Sequence, residues 1–399
     1  MKKERLLLWA AMAVLVGGMP AFGAASLWSI GVLDPNTPYS EPRAVSQDGT
    51  YVVGTSTAPG GIRVPVVWSV SDGLVALPNP SGANSIGIGV SVGIGSNTGN
   101  IIIAGLHEGN LTQRYYKAPL NNLASGTWAD CAQAGGLPLS DMRGGSYNDL
   151  RSDPGAGDGR WYTSGKQASN GRHARLRGDP FNGWNGSTVN NVTSVSAYGV
   201  SVGRSSDSPS AAYVEGPAFA FTRVPGSTGY RADGIGISSS FGKATDYDLQ
   251  WVSGQVLNYN GTNAQAFRWK RGDLSMEFLG TLPGHVSSCA YTVADNGVTA
   301  GRSYVAGGET AVVWDTSGTW DTTGQAKSVK DLLTAAGVDT SMWSSLVRVY
   351  AASDDGKTLA GIGIWAADSS TRGFVATIPE PATLLLLALG GGALLRRRA

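Results

Sequence analysis

Cysteine and histidine are scarce in this chain, and their scarcity excludes several kinds of chemistry at the outset. Two cysteines in 399 residues, Cys131 and Cys289, are too few for a disulfide scaffold. They fall about three repeat units apart in the scheme developed below, too far to be bridged, and read as buried or unpaired thiols. His107, His173 and His285 are the only histidines. None has a carboxylate or cysteine at ligand spacing, so neither a metal site nor a cofactor is expected. No Gly-x-Ser-x-Gly elbow, Walker loop or His-Glu-x-x-His occurs. Charge is thin as well, at 15% of residues against the usual quarter. Thirty basic residues against 29 acidic leave +1, which implies no basic face for nucleic acid. Apolar residues at helical spacing are nearly missing too; the one helix expected is Val329 to Ala336, with Ser328 as N-cap and Gly337 as its stop.

Glycine, by contrast, is abundant: 57 residues, about twice the common share and without a collagen period. Much of it punctuates a recurring sentence. Val293-Ala-Asp-Asn-Gly-Val-Thr-Ala-Gly301 reads as strand, Asn-Gly turn and strand, with the turn suited to type I′ because both residues tolerate positive φ. Close copies are Ala44–Gly54 and Ala352–Gly361. Looser copies end at Gly105, Gly165, Gly203 and Gly254, making seven hairpins whose closing glycines lie 38 to 60 residues apart. A period of that size built from strands marks a β-propeller blade.

After each hairpin comes a third strand rich in aromatic and β-branched residues: Arg63–Ser69, Arg114–Ala118, His173–Arg177, Ala218–Thr222, Ala266–Lys270, Ala311–Asp315 and Gly373–Thr377. A fourth follows at Leu74–Pro78 and Met276–Pro283, which completes a four-stranded blade. The last unit stops at its third strand, while Leu27–Leu33 is a spare strand at the other end. Pairing the two would close a ring and remove its free edges. The expected fold is therefore all-β, a seven-bladed propeller over residues 26–377, with six and eight blades as the alternatives.

Both ends read as addresses. Lys2, Lys3 and Arg5, the apolar run Leu6–Val16 and small residues at Ala21, Gly23, Ala24 and Ala25 have the order of a secretory signal peptide over residues 1–25. Without the six terminal basic residues and Glu4, 24 basic residues face 28 acidic ones, so the mature chain is mildly acidic. In 378–399, Pro379-Glu380-Pro381 precedes the apolar stretch Ala382–Leu395 and the cluster Arg396-Arg397-Arg398. The stretch is shorter than the roughly 20 residues of a comfortable span, and the arginines behind it favour the cytoplasmic side. This tail resembles the PEP-CTERM sorting signal of Gram-negative bacteria. The resemblance implies processing by an exosortase, transient inner-membrane anchoring, and delivery to the cell surface or extracellular matrix. The repeat units in turn resemble the HAF-type repeat of extracellular bacterial proteins, through Phe278-Leu-Gly-Thr-Leu282, Ala44-Val-Ser46, Val52-Val-Gly54 and Ala266-Phe-Arg-Trp269.

No constellation of catalytic residues converges. Asp48, Asp295, Asp354 and Asp355 are turn formers. Arg177-Gly-Asp179 and Arg271-Gly-Asp273 each follow a third strand and read as turns, and Asp153–Asp158 reads as a solvated loop. The expected role is non-catalytic binding or structure at the cell surface, with an extracellular polysaccharide as partner; the alternative is a polysaccharide lyase or glycosidase on the same scaffold. Trp161, Trp184 and Trp320, taken as exposed in loops, are the candidates for stacking on sugar rings. Replacing Arg396–Arg398 by neutral residues is expected to disturb retention and processing. Finding the full-length precursor with an intact C-terminus in the matrix, by mass spectrometry, would refute that expectation.

Overall fold

A computed structural model describes residues 25–79 and 264–378 continuously and, between them, the backbone of the strands and turns named below. Segments 1–24 and 379–399 lie outside the described residues, and with them the expected signal peptide and the sorting tail Pro379–Pro381 and Arg396–Arg398.

The described strands form seven antiparallel sheets, six of four strands and one of five. The first comprises Ser40–Val45, Val52–Thr57, Arg63–Ser69 and Gly73–Ala76. The second comprises Ser85–Val92, Asn100–His107, Thr112–Pro119 and Thr127–Asp130. Leu139–Asn148, Arg160–Gln167, His173–Asp179 and Gly183–Thr188 make the third. Val192–Val195, Ser201–Arg204, Ala212–Gly216 and Phe219–Arg223 make the fourth. The fifth adds a short Gly229–Tyr230 before Gly236–Thr245, Trp251–Asn258, Ala264–Lys270 and Glu277–Phe278. The sixth holds Ser287–Val293, Thr299–Val305, Gly308–Trp314 and Lys327–Ser328.

The seventh sheet closes the chain on itself. Trp343–Ala352, Thr358–Trp365 and Thr371–Thr377 are completed by Ser26–Ser29 from the other end, in the register Ser26↔Thr377, Leu27↔Ala376, Trp28↔Val375 and Ser29↔Phe374. The first long strand of each sheet packs on that of the next, and the seventh's packs on the first's. These strands are the inner ring; the hairpin partner, the third strand and the fourth follow outward. The expected order of strands is thus found, with one correction. In the fourth sheet the third strand is Ala212–Gly216, and Phe219–Arg223, expected there, is the outer one. Among the described residues, the strands between Gly105 and Gly165 belong to the second and third sheets.

Because each sheet lies between two others, alternate side chains of a strand feed two different cores. In the sixth sheet Ala311 and Val313 pack toward the seventh, while Val312 and Trp314 pack toward the fifth. In the first, Val53 and Val67 face the second sheet, and Val52 and Trp68 face the seventh. Each fully buried Val or Leu contributes about 1.5–3 kcal/mol. This explains apolar runs such as Val64–Trp68.

All seven repeat glycines lie in second strands, and their partners explain them. Gly54 pairs with Pro42, Gly105 with Gly87, Gly203 with Val192, Gly254 with Gly242, Gly301 with Ala290 and Gly361 with Val349. In each case the inner strand carries a β-bulge directly after that partner. In the third sheet Gly165 falls within the irregularity between Ser140 and Gly144. A Cβ on Gly54, Gly301 or Gly361 would land on the carbonyl oxygen of Glu41, Cys289 or Arg348 respectively. The bulge pushes that carbonyl into the place a side chain would take.

The hairpin turns differ from the expected type. Gly297 N donates to Ala294 O (2.9 Å) and Ala294 N to Val298 O (2.8 Å). Gly297 has φ 85°, and Asn296 is not among the residues with positive φ. The loop is a type I turn closed by a left-handed glycine, rather than type I′. Successive turns are also joined: Asp295 N donates to Asp354 O (2.9 Å), and Asp354 N to Gln47 O (3.0 Å).

The helix is found at Val329–Ala335, one residue shorter than expected. Ser328 Oγ accepts from Asp331 N, and Gly337, at φ 82°, follows the end. It packs between the sixth and seventh sheets, where Lys330 Nζ donates to Trp343 O (2.6 Å).

Gly301→Ala is expected to lower the thermal unfolding midpoint, with a destabilisation of about 3 kcal/mol or more from the displaced bulge. Gly308→Ala, with open space at its Cβ, is expected to stay within about 0.5 kcal/mol of the parent. Equal effects in a melting experiment would refute the bulge account.

Candidate functional site

The bulges decide which side chains gather at the inner ring. In three consecutive inner strands the unpaired residue at the bulge facing the repeat glycine is Tyr291, Tyr350 and Arg43. A bulge re-aims the side chain of the extra residue, and these three meet in a row. The rings of Tyr291 and Tyr350 lie 5.7 Å apart at 57°, and the Arg43 guanidinium sits 5.3 Å from the Tyr350 ring centre. On the other flank Arg302 lies 5.8 Å from the Tyr291 ring.

The charges of this row are partly matched. Glu309 accepts from both Arg302 and Arg348, the latter through two nitrogens, with Nη2 to Oε1 at 2.9 Å. Arg348 Nη1 also reaches the Tyr350 hydroxyl at 3.3 Å. Glu41 takes Arg43 Nη2 at 2.9 Å and the Tyr39 hydroxyl, and Arg63 stacks 4.6 Å from the Tyr39 ring. Four guanidinium groups thus face two carboxylates, leaving the cluster cationic by two charges. All four keep an edge toward solvent: Arg63 is exposed, and side-chain exposure is 41% for Arg43, 32% for Arg348 and 28% for Arg302.

Burial raises the phenols of Tyr39, Tyr291 and Tyr350 above the ordinary value. Donation to Glu41 adds to this at Tyr39, and the charge of Glu41 adds to it at Tyr350. Hydrogen bonding to Glu309 raises Arg348 further still. The cluster therefore offers neutral aromatic faces and permanent cations.

The residues singled out beforehand fare differently. Trp320 is a correction: it is 6% exposed, its Nε1 donates to Gly356 O (2.7 Å), and it packs with Leu333 and Trp343 between the sixth and seventh sheets. Its backbone is held by buried Asp315, whose carboxylate accepts from Trp320 N at 2.6 Å. Trp161 and Trp184 lie in strands rather than loops, each paired with Gly178, and their side chains are outside the described ones. Arg177–Asp179 is likewise strand, whereas Arg271–Asp273 is a turn, with Asp273 N to Lys270 O at 3.0 Å.

Asp48 and Asp355 serve their own turns, accepting from Ser46 Oγ and Ser353 Oγ at 2.6 Å and from Thr50 N and Lys357 N at 3.0 Å. Cys289 is buried, with its Sγ 3.7 Å from Ala290 O; Cys131 and Asp153–Asp158 lie outside the described residues. His107 and His173 are strand residues, and His285 sits in the turn before the sixth sheet. Among the described residues, no three His, Cys, Asp or Glu side chains gather to hold a metal, and no helix is long and apolar enough to cross a membrane.

No protein-family model and no curated sequence matches this chain. Solved structures do resemble it. The β-propeller domain of the Trilobed protease from Pyrococcus furiosus, described as having an open velcro topology, aligns over 85% of this chain and 93% of its own at TM-score 0.50 and 9% identity. An oligogalacturonate lyase in complex with manganese aligns over 85% and 88% at TM-score 0.50 and 8% identity. Pyrococcus horikoshii acylaminoacyl peptidase aligns over 86% of this chain and 52% of its own, at TM-score 0.50 and 9% identity. At such identities the likeness carries the fold alone: the chain is a β-propeller.

The raised phenols give a pH test. A group whose folded pKa lies above its unfolded value stabilises fully below that unfolded value, about 10 for Tyr, and the stability is lost as pH rises through the folded one. The melting temperature is expected to fall from about pH 10 upward, and Tyr291→Phe to flatten that fall. An alkaline limb unchanged in the variant would contradict the assignment.

Proposed function

We propose that this chain is a seven-bladed propeller, exported and held at the cell surface or in the extracellular matrix, with a non-catalytic binding role toward an extracellular polysaccharide. Its address rests on the resemblance of Pro379–Arg398 to an exosortase substrate and on the signal-like segment 1–25. Its role rests on one observation above all: among the described residues, the carboxylates of the arginine–tyrosine cluster are already engaged. Glu309 is shared by Arg302 and Arg348, and Glu41 by Arg43 and Tyr39. A lyase or glycosidase needs an acid or base positioned to exchange a proton with substrate. A carboxylate clamped by guanidinium groups has its oxygens occupied by those donors and serves orientation instead.

The alternative, a polysaccharide lyase or glycosidase, draws on the scaffold alone, since the fold hosts both catalytic and non-catalytic proteins. A screen of the purified chain against neutral and acidic polysaccharides, followed by reducing-end and unsaturated-product assays, is expected to detect binding without turnover. Turnover abolished by Glu309→Gln or Glu41→Gln would reverse the reading.

A further inference from the structure

We infer that the row Arg302, Tyr291, Tyr350, Arg43 is the binding site, with Arg302 on the second strand of the sixth sheet and the others on the inner strands of the sixth, seventh and first, and that it takes a carboxylated, uronate-type polysaccharide chain. The inference rests on the binding role proposed above and names its ligand chemistry and its residues.

Three features point to that ligand. The first is the mixture of groups: two phenol rings flanked by two guanidinium groups, at successive separations of 5.8, 5.7 and 5.3 Å. Aromatic faces take the C–H faces of sugar rings, and planar guanidinium forks take carboxylates through two parallel N–H···O bonds. The second is spare donor capacity. A guanidinium has five N–H donors; Arg302 spends Nη1 on Glu309, and Arg43 spends Nη2 on Glu41. No other hydrogen bond of either group is found among the described residues, and both keep exposed edges.

The third is preorganisation. Glu309 fixes Arg348 through two nitrogens, and Arg348 in turn holds the Tyr350 hydroxyl. The Tyr350 ring is therefore set before any ligand arrives, which lowers the entropic cost of binding. The excess of cations over carboxylates in the cluster is small, and the whole chain carries only +1. That modest surplus suits a chain with one carboxylate per sugar rather than the dense phosphates of a nucleic acid, which demand a continuous basic track.

Binding of the purified full-length chain to polygalacturonate, its methyl ester, dextran and oligothymidylate, measured by affinity electrophoresis and calorimetry, tests this. Polygalacturonate is expected to bind at least about tenfold more tightly than the uncharged methyl ester or dextran, and to weaken as salt rises. Arg43→Gln and Arg302→Gln are each expected to weaken it about tenfold or more, with near-ultraviolet circular dichroism unchanged. Should Arg302→Gln fail to fold, the more exposed Arg43→Gln carries the test. Equal affinity for ester and acid, unchanged binding in the folded Arg43→Gln variant, or preference for oligothymidylate would overturn the inference. Turnover of bound polygalacturonate would break the non-catalytic reading and leave this site standing; failure of the carboxylated chain to bind would break this site and leave the surface role standing.

Discussion

The rest of the ring depends on a carbonyl standing where a side chain is missing. At Gly54, Gly301 and Gly361 the carbonyls of Glu41, Cys289 and Arg348 occupy the space of a Cβ, and the inner strand bends there. The bend adds local twist, and twist lets narrow sheets fan around an axis rather than stack flat. The same bend places Arg43, Tyr291 and Tyr350 out of the ladder and into contact with one another. Fold and site share one backbone irregularity, so the residue that permits the architecture, a glycine, lies across the ladder from the chemistry it presents.

Contacts between neighbouring sheets hold the fan at its pitch. Turn backbones hand hydrogen bonds from Asp295 to Asp354 and from Asp354 to Gln47. Asn296 Nδ2 reaches Asp355 O at 2.8 Å, and Trp320 spans from the sixth sheet to Gly356 O. Between the fifth and sixth sheets, buried Arg268 bonds Glu277 Oε2 at 2.6 Å and Gly297 O at 2.9 Å. These polar links use backbone groups that a turn would otherwise leave to water, while the apolar alternation supplies most of the attraction between sheets.

Much of the architecture was legible because it is written in local, repeated terms. The closing glycines, the Trp and Phe strands and the spare Leu27 strand mark strands wherever they occur, and the structure has them in those places. What glycine is for was not legible: the carbonyl that Gly301 admits belongs to Cys289, which no turn signal marks. Asn296-Gly297 suits two turn types, and the alignment of Ala294 with Val298 selects between them. Phe219 and Phe221 imitate a third strand through composition, although Ala212–Gly216 takes that place in the ladder. Trp320 looked like a loop residue because its neighbours are Gly, Thr and Asp, yet Asp315 folds that loop inward. The arginine–tyrosine row escaped notice because Arg43, Tyr291 and Tyr350 stand at like bulge positions that only the register aligns, and Arg302 joins them from a second strand.

Ring closure has a mechanical side. The strand Thr371–Thr377 is the last regular element among the described residues, and it is flanked on both sides, by Thr358–Trp365 and by Ser26–Ser29. Tension applied through whatever follows Ile378 therefore enters a strand secured by two ladders instead of an edge that peels from one. Ser26 lies opposite Thr377, so the chain enters and leaves the ring at neighbouring points. A pull on the outgoing end is carried into the sheet's interior, and the N-terminal strand acts as a buckle over the loaded one.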